Sequence, residues 1–125
     1  MEAVNESQVQ DGIVDALTRV GIWAFRVRAE AKIRGIPAAP PGTADIWTEL
    51  GWCEIKMRGR HLSHKQIEWH DKARRRGVRA CVVYEDERGP KELIIRAAKT
   101  ILRWRTELPA HRGCPHERCP MEDHS

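Results

Sequence analysis

The sequence predicts a single α/β domain, a mixed central sheet flanked by helices, with the core order α-βββ-α-β. Three observations carry that prediction. Two segments show capped helical periodicity, several show the alternation or short apolar runs of strands, and the two kinds interleave along the chain. A chain of 125 residues has room for one core, since a domain usually takes about 100–150 residues. Residues 1–106 hold every predicted element, and residues 107–125 read as a separate tail.

The first helix is expected over residues 5–20. Asn5 can cap it, Gln8 stands three residues on, and Val4 can staple to Val9. Val9, Ile13, Leu17 and Val20 form one stripe before Gly21 ends the helix. At about 100° per residue, Glu6 falls within about 20° of Ile13 and Leu17. It is thus the one acid on the core-facing side, although a glutamate in a first turn is also favoured by the helix dipole alone.

Residues 22–28 predict a strand, with Trp23, Phe25 and Val27 alternating against Ala24, Arg26 and Arg28. The aromatic side is expected inside, as are Trp47 and Trp69. Glycine and proline then mark residues 29–42 as a loop that carries Lys32 and Arg34. Strands over 44–49 and 52–57 follow, joined at Leu50-Gly51. The second helix, over 64–76, repeats the first one's grammar: Ser63 caps, Gln66 follows three residues on, and Leu62 can staple to Ile67. Arg74, Arg75 and Arg76 suit its C-terminal dipole. Val78–Tyr84 is a nearly continuous apolar strand of the kind buried on both faces. A short strand at 92–95 and a helix to Arg105 complete the domain.

Composition narrows the partners. Lys and Arg number 22 and Asp and Glu 18, a net charge of +4, but the distribution is uneven. Residues 56–79 hold nine bases against Glu68 and Asp71, whereas residues 1–15 hold four acids and no base. Arginine supplies 16 of the 22 bases, and its planar fork suits phosphate. The pattern reads as a polyanion footprint or as a solvated helix face. No apolar run approaches the ~18 residues of a membrane span, and the N-terminal residues lack the basic and apolar regions of a secretory signal. A cytoplasmic protein with no membrane partner is expected. Cys53 and Cys81 lie in apolar stretches and read as small core residues.

The chemistry concentrates in residues 45–56. Glu54 and Lys56 are two apart on a predicted strand and project from one face, leaving Cys53, Ile55 and Met57 to the core. A hairpin turning at Leu50-Gly51 pairs Asp45 with Lys56 and Trp47 with Glu54, making Asp45 and Glu54 diagonal neighbours on that same face. Two carboxylates so close repel unless a cation lies between them. Mg²⁺ suits the place, since it takes one or two carboxylates plus phosphate and water. A lysine beside it would help orient or deprotonate an attacking water and offset charge on a phosphate. The plain alternative is a surface ion pair across a hairpin, worth under ~1 kcal/mol.

The wider context is Gly42-Thr43-Ala44-Asp45-Ile46-Trp47, then Trp52-Cys53-Glu54-Ile55-Lys56, then Gly59-Arg60-His61-Leu62-Ser63-His64-Lys65-Gln66 and Trp69. This run resembles the VRR-NUC branch of the PD-(D/E)xK nuclease superfamily, in its phage and bacterial stand-alone form. The resemblance spans residues 5–84. It departs at Ala44, where the family often has proline, a difference of loop stiffness and not of chemistry.

The resemblance implies a restriction-endonuclease-like fold and a Mg²⁺- or Mn²⁺-dependent DNA endonuclease. Such an enzyme would hydrolyse phosphodiester bonds on branched or flapped DNA in replication, recombination or repair. Asp45, Glu54 and the main-chain carbonyl of Ile55 would hold the metal, and Lys56 would act on the water or the transition state. Gln66 would reach the site from the second helix, unless capping is its whole role, and Glu6 would match the acid of the family's first helix. Arg28, Lys32, Arg34, Arg58, Arg60 and Lys65 would grip DNA phosphates. Small stand-alone members tend to form homodimers. The competing reading is a non-catalytic DNA-binding module that uses the basic patch alone.

The tail repeats H-x-x-C-P, placing His111, Cys114, His116 and Cys119 within nine residues. It reads as a structural Zn²⁺ site of Cys₂His₂ type or as a polar tail without fixed structure.

Overall fold

A computed structural model describes residues 4–27 and 40–107. The elements are α1 (Glu6–Arg19), β1 (Ala24–Arg26), β2 (Ile46–Thr48), β3 (Gly51–Lys56), α2 (His64–Arg75), β4 (Ala80–Tyr84) and α3 (Pro90–Thr106). The sheet runs β1-β2-β3-β4, antiparallel across the first two pairs and parallel between β3 and β4. The fold is therefore the expected α/β arrangement, with a mixed sheet and the order α-βββ-α-β followed by one more helix. The expected tail ligands His111, Cys114, His116 and Cys119, and the loop bases Arg28, Lys32 and Arg34, lie outside the described residues.

Parity along β3 and β4 divides the sheet into two faces. Cys53, Ile55, Cys81 and Val83 meet Val9, Ile13 and Leu17 of α1 and Leu93, Ala97, Ile101 and Trp104 of α3 in one buried cluster. Helix α2 covers the opposite face, where Trp69 meets Trp52 edge-on at 5.2 Å. Both predicted capping boxes form: Asn5 with Gln8, and Ser63 with Gln66. Each fixes the first turn of its helix, so Glu6 and Gln66 sit on well-anchored backbone.

Four expectations are corrected. Residues 92–95 are helical, because Gly89-Pro90 starts α3 and Leu93, Ala97, Ile101 and Trp104 recur at helical spacing on its buried side. In β1 and the two residues before it, the inward residues are Ile22 and Ala24, while Trp23 is 66% and Phe25 44% exposed. Arg26 accordingly turns to α1, where its Nη1 donates to Asp11 at 2.9 Å and to Ser7 at 3.0 Å. The apolar run Val78–Tyr84 pairs only from Ala80; Ala80, Cys81 and Val83 are buried, while Val78, before the strand, and Tyr84, at its end, are each 38% exposed.

The hairpin register is the fourth. β2 and β3 pair Ile46 with Cys53, Trp47 with Trp52 and Thr48 with Gly51, so the loop is Glu49-Leu50. Thr48 fixes it: its Oγ1 accepts from the N–H groups of Leu50 and Gly51 and donates to the Gly51 carbonyl. Gly51 belongs to the strand because of close packing; a Cβ there would lie 2.7 Å from the Trp104 ring and 2.8 Å from Arg79 Cβ. Against the expected register the pairing moves by two residues, so every side chain keeps its face.

Candidate active site

The two-residue move brings Asp45, just before β2, to the position facing Glu54. The carboxylates are direct neighbours, not diagonal ones. Asp45 Oδ2 also accepts from the Ile55 N–H at 3.3 Å. Glu54 is fully buried. Its Oε2 accepts from Gln66 Nε2 at 3.2 Å and lies 3.9 Å from Lys56 Nζ. Its Oε1 is buried without a hydrogen-bond partner.

Electrostatics follows from that placement. Burial, with the Glu54 charge next in importance, pushes Asp45 up to about 7. Burial likewise pushes Glu54 up to about 7, against the lowering effect of Asp45's hydrogen bond and of Lys56, with the Glu6 charge adding to the rise. Each carboxyl influences the other, so the two titrate as a pair near neutrality.

Gln66 serves both roles that the sequence left open. Its Oε1 accepts from the Ser63 N–H at 2.8 Å, closing the capping box, while its Nε2 holds Glu54. Glu6 accepts from Gln10 Nε2 at 3.3 Å and lines one cleft with Lys56, Arg60 and Gln66. The five residues Glu6, Asp45, Glu54, Lys56 and Gln66 thus converge from α1, the approach to β2, β3 and α2. Arg60 borders them, and Arg58 and Lys65 are exposed nearby in sequence, with Lys65 Nζ 3.9 Å from Glu68.

Gly42 explains how the Asp45 segment meets α2. A Cβ at Gly42 would lie 2.2 Å from the Lys65 carbonyl oxygen and 3.0 Å from the Gln66 nitrogen, and its φ is +87°. Only a residue without a side chain lets these two segments touch. Gly42→Ala is expected to lower stability by more than ~2 kcal/mol, because it combines a backbone clash with a left-handed φ. Urea denaturation checks this; an unchanged midpoint would remove the contact from the account.

Sequence reasoning missed His70. It lies one turn beyond Gln66 on α2, with Nε2 3.8 Å from Glu54 Oε1, and it contacts the Trp69 ring edge-on at 5.0 Å. Burial is the main reason its pKa falls to about 4, so it is neutral at neutral pH. The i, i+4 spacing from Gln66 was the available signal.

A hard divalent cation fits these groups. The unpartnered Glu54 oxygen and the raised pKa of both carboxyls are features a cation at the pair would relieve. The Ile55 carbonyl points to the same strand edge as its N–H, which faces Asp45. Among the described residues no group of three or more His, Cys, Asp and Glu side chains is gathered to hold a metal. Two carboxylates and a carbonyl would therefore leave further positions to water and phosphate oxygens, as Mg²⁺ prefers.

No helix among the described residues is long and apolar enough to cross a membrane. No family model, curated protein or solved structure matches the chain, so the reading of the site rests on its own geometry.

Proposed function

We propose that the protein is a Mg²⁺- or Mn²⁺-dependent DNA endonuclease, related to the VRR-NUC nucleases, that hydrolyses phosphodiester bonds on branched or flapped DNA. The observation that carries this reading is the facing pair of Asp45 and Glu54, both held near pKa 7, with Lys56 on the same sheet face. A protein that only binds DNA gains nothing from carboxylates in a phosphate groove, where they repel the ligand.

When bound, the divalent ion supplies positive charge to the phosphate oxygens and acidity to water. Asp45, Glu54 and the Ile55 carbonyl hold it. Gln66 keeps Glu54 oriented through the Nε2 hydrogen bond. Lys56, at the open side of the pair, orients or deprotonates the attacking water and offsets the charge gathering on the phosphate. Glu6 adds negative potential on the side of α1, which favours a cation at the pair. Arg60, on the rim of the same cleft, and the exposed Arg58 and Lys65 attract the backbone without reading sequence.

The test is cleavage of labelled duplex, flap and four-way-junction DNA with Mg²⁺ or Mn²⁺ against a chelator control. Metal-dependent products, most abundant on flap or junction, are expected. Tight binding of all three DNAs with no product under either metal would leave a binding module instead. Sedimentation of the same sample tests the homodimer.

A further inference from the structure

The sheet ends at β4 in an open edge, since among the described residues β4 pairs with β3 alone. The Trp52 N–H donates to the Arg79 carbonyl, and the Glu85 N–H donates to the Lys56 carbonyl. In a parallel ladder these two bonds fix the alternation. Residues 79, 81, 83 and 85 turn their backbone groups to β3, and Ala80, Val82 and Tyr84 turn theirs outward. The Tyr84 carbonyl accepts from Arg96 Nη2 at 2.7 Å. The N–H and carbonyl of Val82 and the N–H of Tyr84 stay directed away from the sheet. The strand itself, Ala-Cys-Val-Val-Tyr, has neither the charge nor the proline that commonly blunts an edge.

A cleft of about 470 Å³ lies along this edge, walled by Val82 and Tyr84 and by Arg96, Lys99, Thr100 and Arg103 of α3. At about 100° per residue the three bases fall within about 60° of one another. Lys99 and Arg103 are exposed, Arg96 lies 3.6 Å from Asp86 Oδ2, and no acid lines the cleft.

Parity gives the cleft two kinds of wall. Val82 pairs with Glu54 and Tyr84 with Lys56, so their side chains stand on the α2 face, Val82 half-buried and Tyr84 exposed. Helix α3 covers the other face. A strand added at the edge alternates in the same way. Its residues on the α2 face lie beside Val82 and Tyr84, where apolar side chains fit. The residues between them meet Arg96, Lys99 and Arg103, where acids fit. A second copy of this chain set there by a two-fold axis would bring two rows of bases together. A nucleic-acid backbone would satisfy the bases but has no alternating donors and acceptors to continue the ladder.

We infer that the β4 edge takes up an extended segment of a partner protein in which acidic and apolar residues alternate, the acids toward α3. This is strand addition, with main-chain bonds giving affinity and alternate side chains giving specificity. The inference does not rest on the nuclease reading, whose carboxylates face α2.

The probe is a fluorescein-labelled, end-capped peptide of four Glu-Val repeats, titrated with the full chain in EDTA and followed by anisotropy. Saturable binding is expected, with the largest amide shifts in NMR spectra at Val82 and Tyr84. Lys99→Glu, at an exposed helix position, should weaken it about fivefold. N-methylation of every valine or of every glutamate keeps all charges, and at least one of these peptides should bind about tenfold more weakly, because one set of amides faces β4. No binding at millimolar peptide overturns the inference, as does equal binding by the parent and both N-methylated peptides. A Lys-Val repeat that binds as well as Glu-Val removes the role of the bases. An eight-residue oligothymidylate that binds more tightly than the peptide, and loses affinity with Lys99→Glu, replaces the peptide with a phosphate backbone. None of these readouts involves cleavage, so failure here leaves the nuclease standing, and absence of cleavage leaves the edge site standing.

Discussion

Glu54→Gln should give a protein that is more stable than the wild type in EDTA at pH 8 and has lost all metal-dependent cleavage. Wild-type Glu54 is fully buried, and its carboxyl titrates at about 7 instead of the ordinary 4.5. Above pH 7 the folded protein therefore holds a charge that burial and Glu6 oppose. Each unit of pKa displacement corresponds to 1.36 kcal/mol, so relief of that charge is worth on the order of 3 kcal/mol. Glutamine fills the same space, can accept from Gln66 and can donate to the facing Asp45. It is a poor ligand for a hard cation, so catalysis goes. Lys56→Ala is the companion variant. It should cut about 10²- to 10³-fold more slowly, the scale seen when one group that stabilises developing charge is removed. Denaturation midpoints and cleavage rates measured side by side decide the matter. An active Glu54→Gln protein, or one less stable than wild type in EDTA, would remove Glu54 from the centre of the site.

Without metal, the protein should lose stability as pH rises from about 5 to 8, and Mg²⁺ or Mn²⁺ should restore it. Asp45 and Glu54 have folded pKa values of about 7, above the ordinary 3.8 and 4.5. Between about pH 4 and 7 the folded state thus binds more protons than the unfolded state, and the slope of stability with pH is negative. This contribution is largest below the unfolded values and has vanished once the pH passes the folded ones. His70 acts in the opposite sense: its pKa falls from 6.5 to about 4, so the folded state resists protonation as pH drops through that window. It is one group against two, and the carboxyl pair sets the sign above pH 5. A metal at one hundred times its dissociation constant adds about 2.7 kcal/mol to the folded state. Urea titrations at pH 5 and pH 8, with and without metal, read both effects. Comparison with Glu54→Gln separates the pair from the other titrating groups. A wild-type protein more stable in EDTA at pH 8 than at pH 5, by the same margin as the variant, would contradict the strained pair.

Much of the site was legible because its residues sit on elements with strong local signals. Asn5/Gln8 and Ser63/Gln66 announce two helix starts, and those starts deliver Glu6 and Gln66. The face shared by Asp45, Glu54 and Lys56 survived a wrong hairpin loop, since a shift of two residues preserves parity. The loop itself was misread because Gly51 looks like a turn residue, whereas packing against Trp104 and Arg79 is what requires it. Trp23 and Phe25 were placed inside because large aromatics usually are; in β1 the smaller Ala24 and the neighbouring Ile22 fill the space under α1. Leu93-Ile94-Ile95 imitates a strand only when the Gly89-Pro90 start is ignored. His70 went unnoticed because a histidine on a charged helix carries no local mark of burial; its role depends on the sheet beneath it.

The packing of α1 on α3 has a consequence for synthesis. Ile13 and Leu17 of the first helix share their core with Leu93, Ala97, Ile101 and Trp104 of the last. A growing chain that ends between β3 and α3 has made Glu6, Asp45, Glu54 and Lys56 but cannot yet bury the face that holds them in register. At about 5–20 residues per second, that interval lasts seconds on the ribosome. On the proposed reading, an enzyme that cuts DNA is then inert until its last helix has been made, and an abandoned fragment stays harmless.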